Sequence, residues 1–93
     1  MATILVVEDN RNLGRLYITY LTKTGTTVHH MITAKQTLDY LESYTYPDVV
    51  VLDMALRDGG AMAIIDHLKQ YSPHTHIIII ADTERFDLSL IHI

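Results

Sequence analysis

The sequence contains no cysteine and no tryptophan, and only two prolines and four glycines occur among its 93 residues. The absence of cysteine excludes a disulfide framework, a thiolate zinc site and a thiol nucleophile. Seven basic residues against eleven acidic ones give a net charge of −4, which argues against direct binding to nucleic acid. Aliphatic runs such as Ile77–Ile80 are far too short to span a membrane, and the N-terminus lacks the features of a signal peptide. We therefore expect a cytoplasmic protein that makes no contact with a membrane.

Two kinds of segment alternate along the chain. Runs rich in β-branched residues predict four strands, at Thr3–Val7, Thr26–Met31, Asp48–Met54 and His76–Ile80. Apolar residues at helical spacing predict helices that begin after Asp9 or Asn10, after Thr33 and at Ala61.

This βαβαβαβ order with short connections predicts a parallel sheet with helices on both faces. We interpret residues 1–93 as one α/β domain, a flavodoxin-like doubly wound parallel sheet with strand order 2-1-3-4, truncated after the fourth strand.

Acidic residues follow two of the predicted strands. Glu8 and Asp9 come directly after the first strand, and Asp53 lies at the end of the third. In the predicted order these strands are neighbours about 4.8 Å apart, and like charges at roughly 4 Å repel by about 4 kcal/mol at an effective dielectric near 20. Taken alone, Asp9 is more typical of a helix cap than of a metal ligand. Asp53 alone is as typical of a turn residue as of a nucleophile. Together they indicate a site where a raised pKa or a bound cation offsets the repulsion, and carboxylates favour Mg²⁺.

The segments ILVVEDN, PDVVVLDM and HIIII resemble the receiver domain of two-component response regulators, over essentially the whole chain. The resemblance implies that Asp53 is the phosphoacceptor, and that Glu8, Asp9, Asp53 and the backbone carbonyl of Ala55 hold Mg²⁺. It also implies a histidine kinase or phosphotransfer protein as the donor. The domain would then be a signalling module that switches a partner or dimer surface, and it would assist its own phosphorylation at most.

Several positions depart from the family's pattern. The family usually carries Ser or Thr at the end of the fourth strand, where Ala81 stands, although Thr83 follows two residues later. Its loop after the phosphoacceptor usually has Pro where Arg57 stands. The Lys and the aromatic switch residue of its fifth strand would lie beyond Ile93. These departures favour an alternative function, a degenerate or fragmentary receiver that acts as a phosphorylation-independent interaction or dimerisation module.

The tail, residues 82–93, has a spacing of apolar residues that suits either a strand or a helix, and its position in the family favours a helix. Without a fifth strand, the segment His76–Ile80 would be a bare sheet edge that lacks charge and proline. We therefore expect a homodimer through the exposed fourth-strand edge or the C-terminal tail, unless the rest of a longer regulator covers this edge.

Two histidine pairs, His29 with His30 and His74 with His76, have no third ligand nearby in the sequence and indicate edge or surface polarity rather than a metal site. A phosphatase of the aspartyl-nucleophile type is disfavoured, because Ala55 stands where its D-x-D pattern needs an acid. A flavin site is disfavoured, because no glycine-rich phosphate loop follows the first strand.

Overall fold

The computed structural model describes residues 2–81 and 90–92. The strands are β1 (Ala2–Val7), β2 (Thr26–Met31), β3 (Val49–Asp53), β4 (His76–Ile80) and β5 (Leu90–His92). The helices are α1 (Arg11–Leu21), α2 (Ala34–Ser43) and α3 (Ala61–Tyr71). The strands form one sheet in the order β2-β1-β3-β4-β5, and β1 to β4 are parallel. The predicted parallel order 2-1-3-4 is therefore confirmed.

The helices cover both faces of the sheet, as a doubly wound fold requires. Side chains alternate along each strand, so Leu5 and Val7 pack with α2 and α3 whereas Val6 packs on the other face. Tyr17 and Leu21 of α1 lie against that second face. None of the helices in the described residues is long and apolar enough to cross a membrane.

The starts of α1 and α2 follow from side-chain caps. Oδ1 of Asn10 accepts a hydrogen bond from the backbone N–H of Leu13 at 3.0 Å, and Oγ1 of Thr33 accepts one from that of Gln36 at 3.0 Å. Each satisfies a donor that the first helical turn leaves unpaired. Because Asn10 caps α1, the neighbouring carboxylate of Asp9 is available for other contacts.

Strand β5 was not expected. Its backbone pairs antiparallel with β4, with Ile78 opposite His92 and Ile80 opposite Leu90. The helix favoured for the tail is therefore wrong for Leu90–His92, while residues 82–89 and 93 lie outside the described part of the chain.

The expectation that the fourth strand forms a bare sheet edge is also wrong for Ile78–Ile80, because β5 pairs with these residues. A second copy could not pair with Ile78–Ile80 without displacing β5. Within the described residues, the parallel part of the sheet stops at β4.

Candidate metal centre

Three carboxylates meet at the carboxyl ends of two adjacent central strands. Strands β1 and β3 pair in parallel with Val7 opposite Leu52, so the residues that follow this pair, Glu8 and Asp53, come to the same edge of the sheet. Glu8, Asp9 and Asp53 each offer a carboxylate oxygen, and these three atoms all lie within 4.8 Å of one another. The structure thus brings together the acids that the sequence placed at the two strand ends.

Glu8 is the buried member of the group, with 4% of its surface exposed. Its Oε2 accepts a hydrogen bond from the backbone N–H of Asn10 at 3.1 Å. The pKa of Glu8 is raised from 4.5 to about 7. Burial is the largest cause, and the neighbouring carboxyl groups of Asp53 and Asp9 add to the rise, whereas the hydrogen bond from the Asn10 N–H opposes it. Without a cation, the cluster therefore relieves its repulsion by holding a proton on Glu8 near neutral pH.

Asp9 is held by the loop that follows β3. Its Oδ2 accepts a hydrogen bond from the backbone N–H of Arg57 at 2.8 Å. The Arg57 Nε atom lies 3.9 Å from the same oxygen, but the Arg57 side chain is 90% exposed, so solvent screens this ion pair. The backbone contact therefore orients Asp9 more firmly than the charged side chain does.

Asp53, the last residue of β3, is half-buried and turned toward its own loop. Its Oδ1 accepts a hydrogen bond from the backbone N–H of Ala55 at 2.8 Å. Ala55, whose carbonyl is the predicted fourth metal ligand, lies on the wall of the same cleft.

An open cleft of about 450 Å³ gives solvent access to the three acids. Its lining residues are Glu8, Asp9, Asn10, Leu13, Tyr17, Asp53, Ala55, Arg57, Ile80 and Ala81. Among the described residues, Arg57 is the only basic residue that lines it. Ala81, the residue after β4, also lines the cleft and carries no hydroxyl group. Thr83 lies outside the described residues, and Lys35 instead pairs with Asp39 on the exposed surface of α2 at 3.1 Å.

Two residues at the site were not identified from the sequence. Tyr17, which packs against the second face of the sheet, also lines the cleft, where burial and the charges of Glu8 and Asp53 raise its pKa. His30, interpreted as edge polarity, lies with its Nε2 atom 2.8 Å from the carbonyl oxygen of Glu8. The one local signal for this contact is Gly14, a glycine inside a helix, which leaves room for the His30 ring.

Comparisons with known proteins agree with this geometry. A sequence model of the response regulator receiver domain matches residues 4–90. The chain is 34% identical over 88 residues to the KDP operon transcriptional regulatory protein KdpE of Escherichia coli, covering 94% of this chain and 38% of that protein. It is 34% identical over 87 residues to the response regulator ArlR of Staphylococcus epidermidis, covering 94% and 39%. The chain thus spans less than half the length of these relatives.

The same fold occurs in the response regulator TrrA of Thermotoga maritima, whose structure was solved in complex with Mg²⁺ and BeF. The TM-score is 0.76 at 23% identity, and the match covers 87% of this chain and 70% of that one. The structural likeness shows the fold alone, whereas the sequence match over residues 4–90 also shows the family. This chain belongs to the response regulator receiver domain family, the signalling domains of two-component systems.

Proposed function

We propose that this chain is a phosphoacceptor receiver domain, in which Asp53 takes up a phosphoryl group in a reaction that requires Mg²⁺. The observation that carries the proposal is the cluster of Glu8, Asp9 and Asp53, whose oxygens lie within 4.8 Å of one another at the ends of two strands. A single acidic residue at a strand end is common and does not by itself indicate a binding site. Three that converge, one of them buried, form a site where either a bound proton or a bound cation offsets the repulsion between the carboxylates.

The donor set suits Mg²⁺, which prefers oxygen ligands and retains several waters. Glu8, Asp9, Asp53 and the carbonyl of Ala55 would hold it, and binding would require the ionised form of Glu8. The bound ion would supply charge neutralisation for the transferring phosphoryl oxygens.

The chain's own residues would supply the nucleophile and its orientation. The Ala55 N–H, 2.8 Å from Oδ1, fixes the plane of the Asp53 carboxylate at the mouth of the cleft. A carboxylate oxygen of Asp53 attacks phosphorus, the bond from phosphorus to the donor breaks, and the donor leaves with that electron pair. We propose a histidine kinase or a phosphotransfer protein as the donor, on the basis of the family.

The acyl phosphate would carry about 1.5 to 2 negative charges beside Asp9, where the free Asp53 carboxylate carries about one. Two backbone contacts join the site to the loop after β3: the N–H of Ala55 donates to Asp53 at 2.8 Å and the N–H of Arg57 donates to Asp9 at 2.8 Å. We therefore propose that the response to phosphorylation begins in the loop between β3 and α3 and alters a partner surface there. A dimer formed by pairing directly with Ile78–Ile80 is not part of the proposal, because β5 already pairs with these residues.

One observation favours a second function, a degenerate receiver that binds partners without being phosphorylated. Ala81, without a hydroxyl, lines the cleft where the family's Ser or Thr would contact the phosphoryl group, and no lysine lines the cleft in the described residues. Hydrogen bonds to charged groups contribute about 1.5–3 kcal/mol each, so their absence weakens phosphoryl binding considerably. In this second function the acidic cluster still holds Mg²⁺.

Fluorine NMR with Mg²⁺ and beryllofluoride, which mimics a phosphoryl group on a carboxylate, separates the two functions. A bound fluorine signal that requires Mg²⁺ and disappears in Asp53→Asn is the result expected for a phosphoacceptor. Mg²⁺ binding without any bound fluorine signal would support the degenerate module instead. The absence of Mg²⁺ binding from a folded protein would contradict both.

A further inference from the structure

The ring of His30 lies between β2, which carries it, and α1. A Cβ atom built on Gly14 would lie 2.1 Å from Cε1 and 2.2 Å from Nε2 of His30, so the ring rests directly on the helix backbone. Glycine is unfavourable in a helix interior. Its presence at this position is therefore explained by the space that the His30 ring occupies.

The ring makes a directed hydrogen bond as well as filling space. His30 Nε2 lies 2.8 Å from the carbonyl oxygen of Glu8. A carbonyl oxygen accepts only, so Nε2 carries the proton and donates it. That carbonyl belongs to the peptide unit that joins Glu8 to Asp9, the two adjacent acids of the metal centre.

Strand β2 also holds the other side of Glu8. The Glu8 backbone N–H donates to the carbonyl of Met31 at 3.0 Å, in line with the pairing of β1 and β2. The backbone of Glu8 is thus held from β2 both at its N–H and at its carbonyl. The orientation of this peptide plane affects the directions of the side chains on both sides of it. The hydrogen bond from His30 therefore helps to orient the carboxylates of both Glu8 and Asp9.

We propose that His30, seated over Gly14, is a positioning residue of the metal centre, whose Nε2–H fixes the peptide between Glu8 and Asp9 and so presets two metal-binding carboxylates. The inference rests on the proposed function, since it presumes that these acids hold Mg²⁺. His30 does not touch the ion. Outer-shell hydrogen bonds of this kind commonly tune metal affinity by orienting the ligands.

Two substitutions separate the donor from the volume it fills. In His30→Gln, the amide Nε2 stands the same number of bonds from Cα as the ring Nε2, so a donor remains. In His30→Met, a methyl group takes that position and no donor remains. Both lose the ring's packing against Gly14. A purely structural role for His30 therefore predicts similar losses in the two variants.

Calorimetric titration with MgCl₂ gives the affinity, and thermal melting followed by circular dichroism gives stability. We expect His30→Met to weaken Mg²⁺ binding about three- to tenfold, and His30→Gln to stay within about twofold of wild type. Equal losses of affinity in the Met and Gln variants, or none in either, would overturn the inference.

Gly14 provides an independent route to the same answer if His30→Met folds poorly. Gly14→Ala places a methyl group inside the ring's space and displaces the donor, so it should lower both melting temperature and Mg²⁺ affinity. Adding His30→Ala removes the clash. The double variant should recover melting temperature relative to Gly14→Ala while its Mg²⁺ affinity stays low. Recovery of both properties together would overturn the inference.

Wild type and Asp9→Asn serve as references for the proposed function. Wild-type binding that is lost in Asp9→Asn shows that the acids hold Mg²⁺, and the His30 variants then test positioning alone. If the wild-type protein binds no Mg²⁺, the proposed function fails and the positioning role fails with it. If it binds and His30→Met binds equally well, only the positioning role fails.

Discussion

The backbone N–H of Arg57 donates to Oδ2 of Asp9 at 2.8 Å, which joins the loop after β3 to the end of β1. The two residues are 48 positions apart in the sequence. This contact can form because Asn10, rather than Asp9, caps α1. Asp9 is thereby placed beside Glu8 and Asp53 instead of at the helix end.

Replacing Asp9 by Asn should weaken Mg²⁺ binding at least about tenfold, because the charge is lost while an oxygen remains to accept from Arg57. Without metal, the variant should be as stable as wild type or slightly more so, since repulsion within the cluster falls. Calorimetric titration and thermal melting measure the two effects. Asp66→Asn, the same change at an exposed position on α3, is the matched control and should alter neither quantity. An unchanged affinity in Asp9→Asn would contradict the assignment.

The stability of the metal-free protein should fall as pH rises from about 4.5 to about 7, because the pKa of Glu8 is raised from 4.5 in the unfolded chain to about 7 in the fold. Over that range the folded state binds more protons than the unfolded state, so the contribution of Glu8 to stability falls as pH rises, by an amount on the order of 3 kcal/mol. Below 4.5 this contribution is fully present, and above about 7 it is lost.

Chemical denaturation at several pH values measures this dependence, and Glu8→Gln isolates it because the amide does not titrate. The difference in unfolding free energy between wild type and Glu8→Gln should change steadily across the range and level off above about pH 7. With saturating Mg²⁺ the trend should reverse, since binding needs the ionised carboxylate and strengthens as pH rises. A difference that is flat across the range would show that the Glu8 pKa is not raised.

Placing a hydroxyl at the end of β4 should strengthen phosphoryl transfer. Ala81 is largely buried on the cleft wall, with 9% of its surface exposed. We expect Ala81→Thr to raise the rate of phosphorylation by acetyl phosphate about tenfold, the effect of one hydrogen bond to a charged group. Ala81→Val has nearly the same size and no hydroxyl, so it controls for overpacking. Equal rates in the Thr and Val variants would show that Ala81 does not face the phosphoryl position.

The loop after β3 also anchors the start of α2. Oδ2 of Asp58 accepts hydrogen bonds from the backbone N–H groups of Ala34 at 2.9 Å and Lys35 at 3.3 Å. Asp58→Ala should therefore cost about 1–2 kcal/mol, a decrease of roughly 4–16 °C in melting temperature for a domain of this size. Asp39→Ala removes only an exposed ion pair with Lys35 and should change stability little. Similar losses of stability in both variants would mean that the removal of a negative charge lowers the stability, rather than the loss of the hydrogen bonds that Asp58 accepts from α2.

The sheet could be predicted because its signals are local. An unbroken β-branched run such as Val49–Leu52 is typical of a strand buried on both faces, and helical spacing between such runs gives the βα alternation. The acids after β1 and β3 then had to share an edge, since the carboxyl ends of adjacent parallel strands coincide. The roles of Glu8, Asp9, Asp53 and Ala55 remain predictions.

The missed features depend on tertiary contacts. His30 is one of two histidines on an edge strand, and its sequence neighbours do not show that its ring reaches the Glu8 carbonyl 22 residues away. The signal lies on another element, at Gly14 of α1. The cap that Asp58 supplies to α2 spans 24 residues. The short strand Leu90–His92 is defined by its pairing with β4. It could not be predicted from the sequence, because three residues are too few to show a periodic pattern of apolar residues.

The most direct test of Asp53 as the phosphoacceptor is the intact mass of the protein after incubation with acetyl phosphate, with and without Mg²⁺, beside Asp53→Asn. We predict a gain of one phosphoryl group in the wild-type protein that requires Mg²⁺ and is absent from the variant. A folded wild-type protein that binds Mg²⁺ and gains no mass, or a gain that persists in Asp53→Asn, would contradict the assignment of Asp53 as phosphoacceptor.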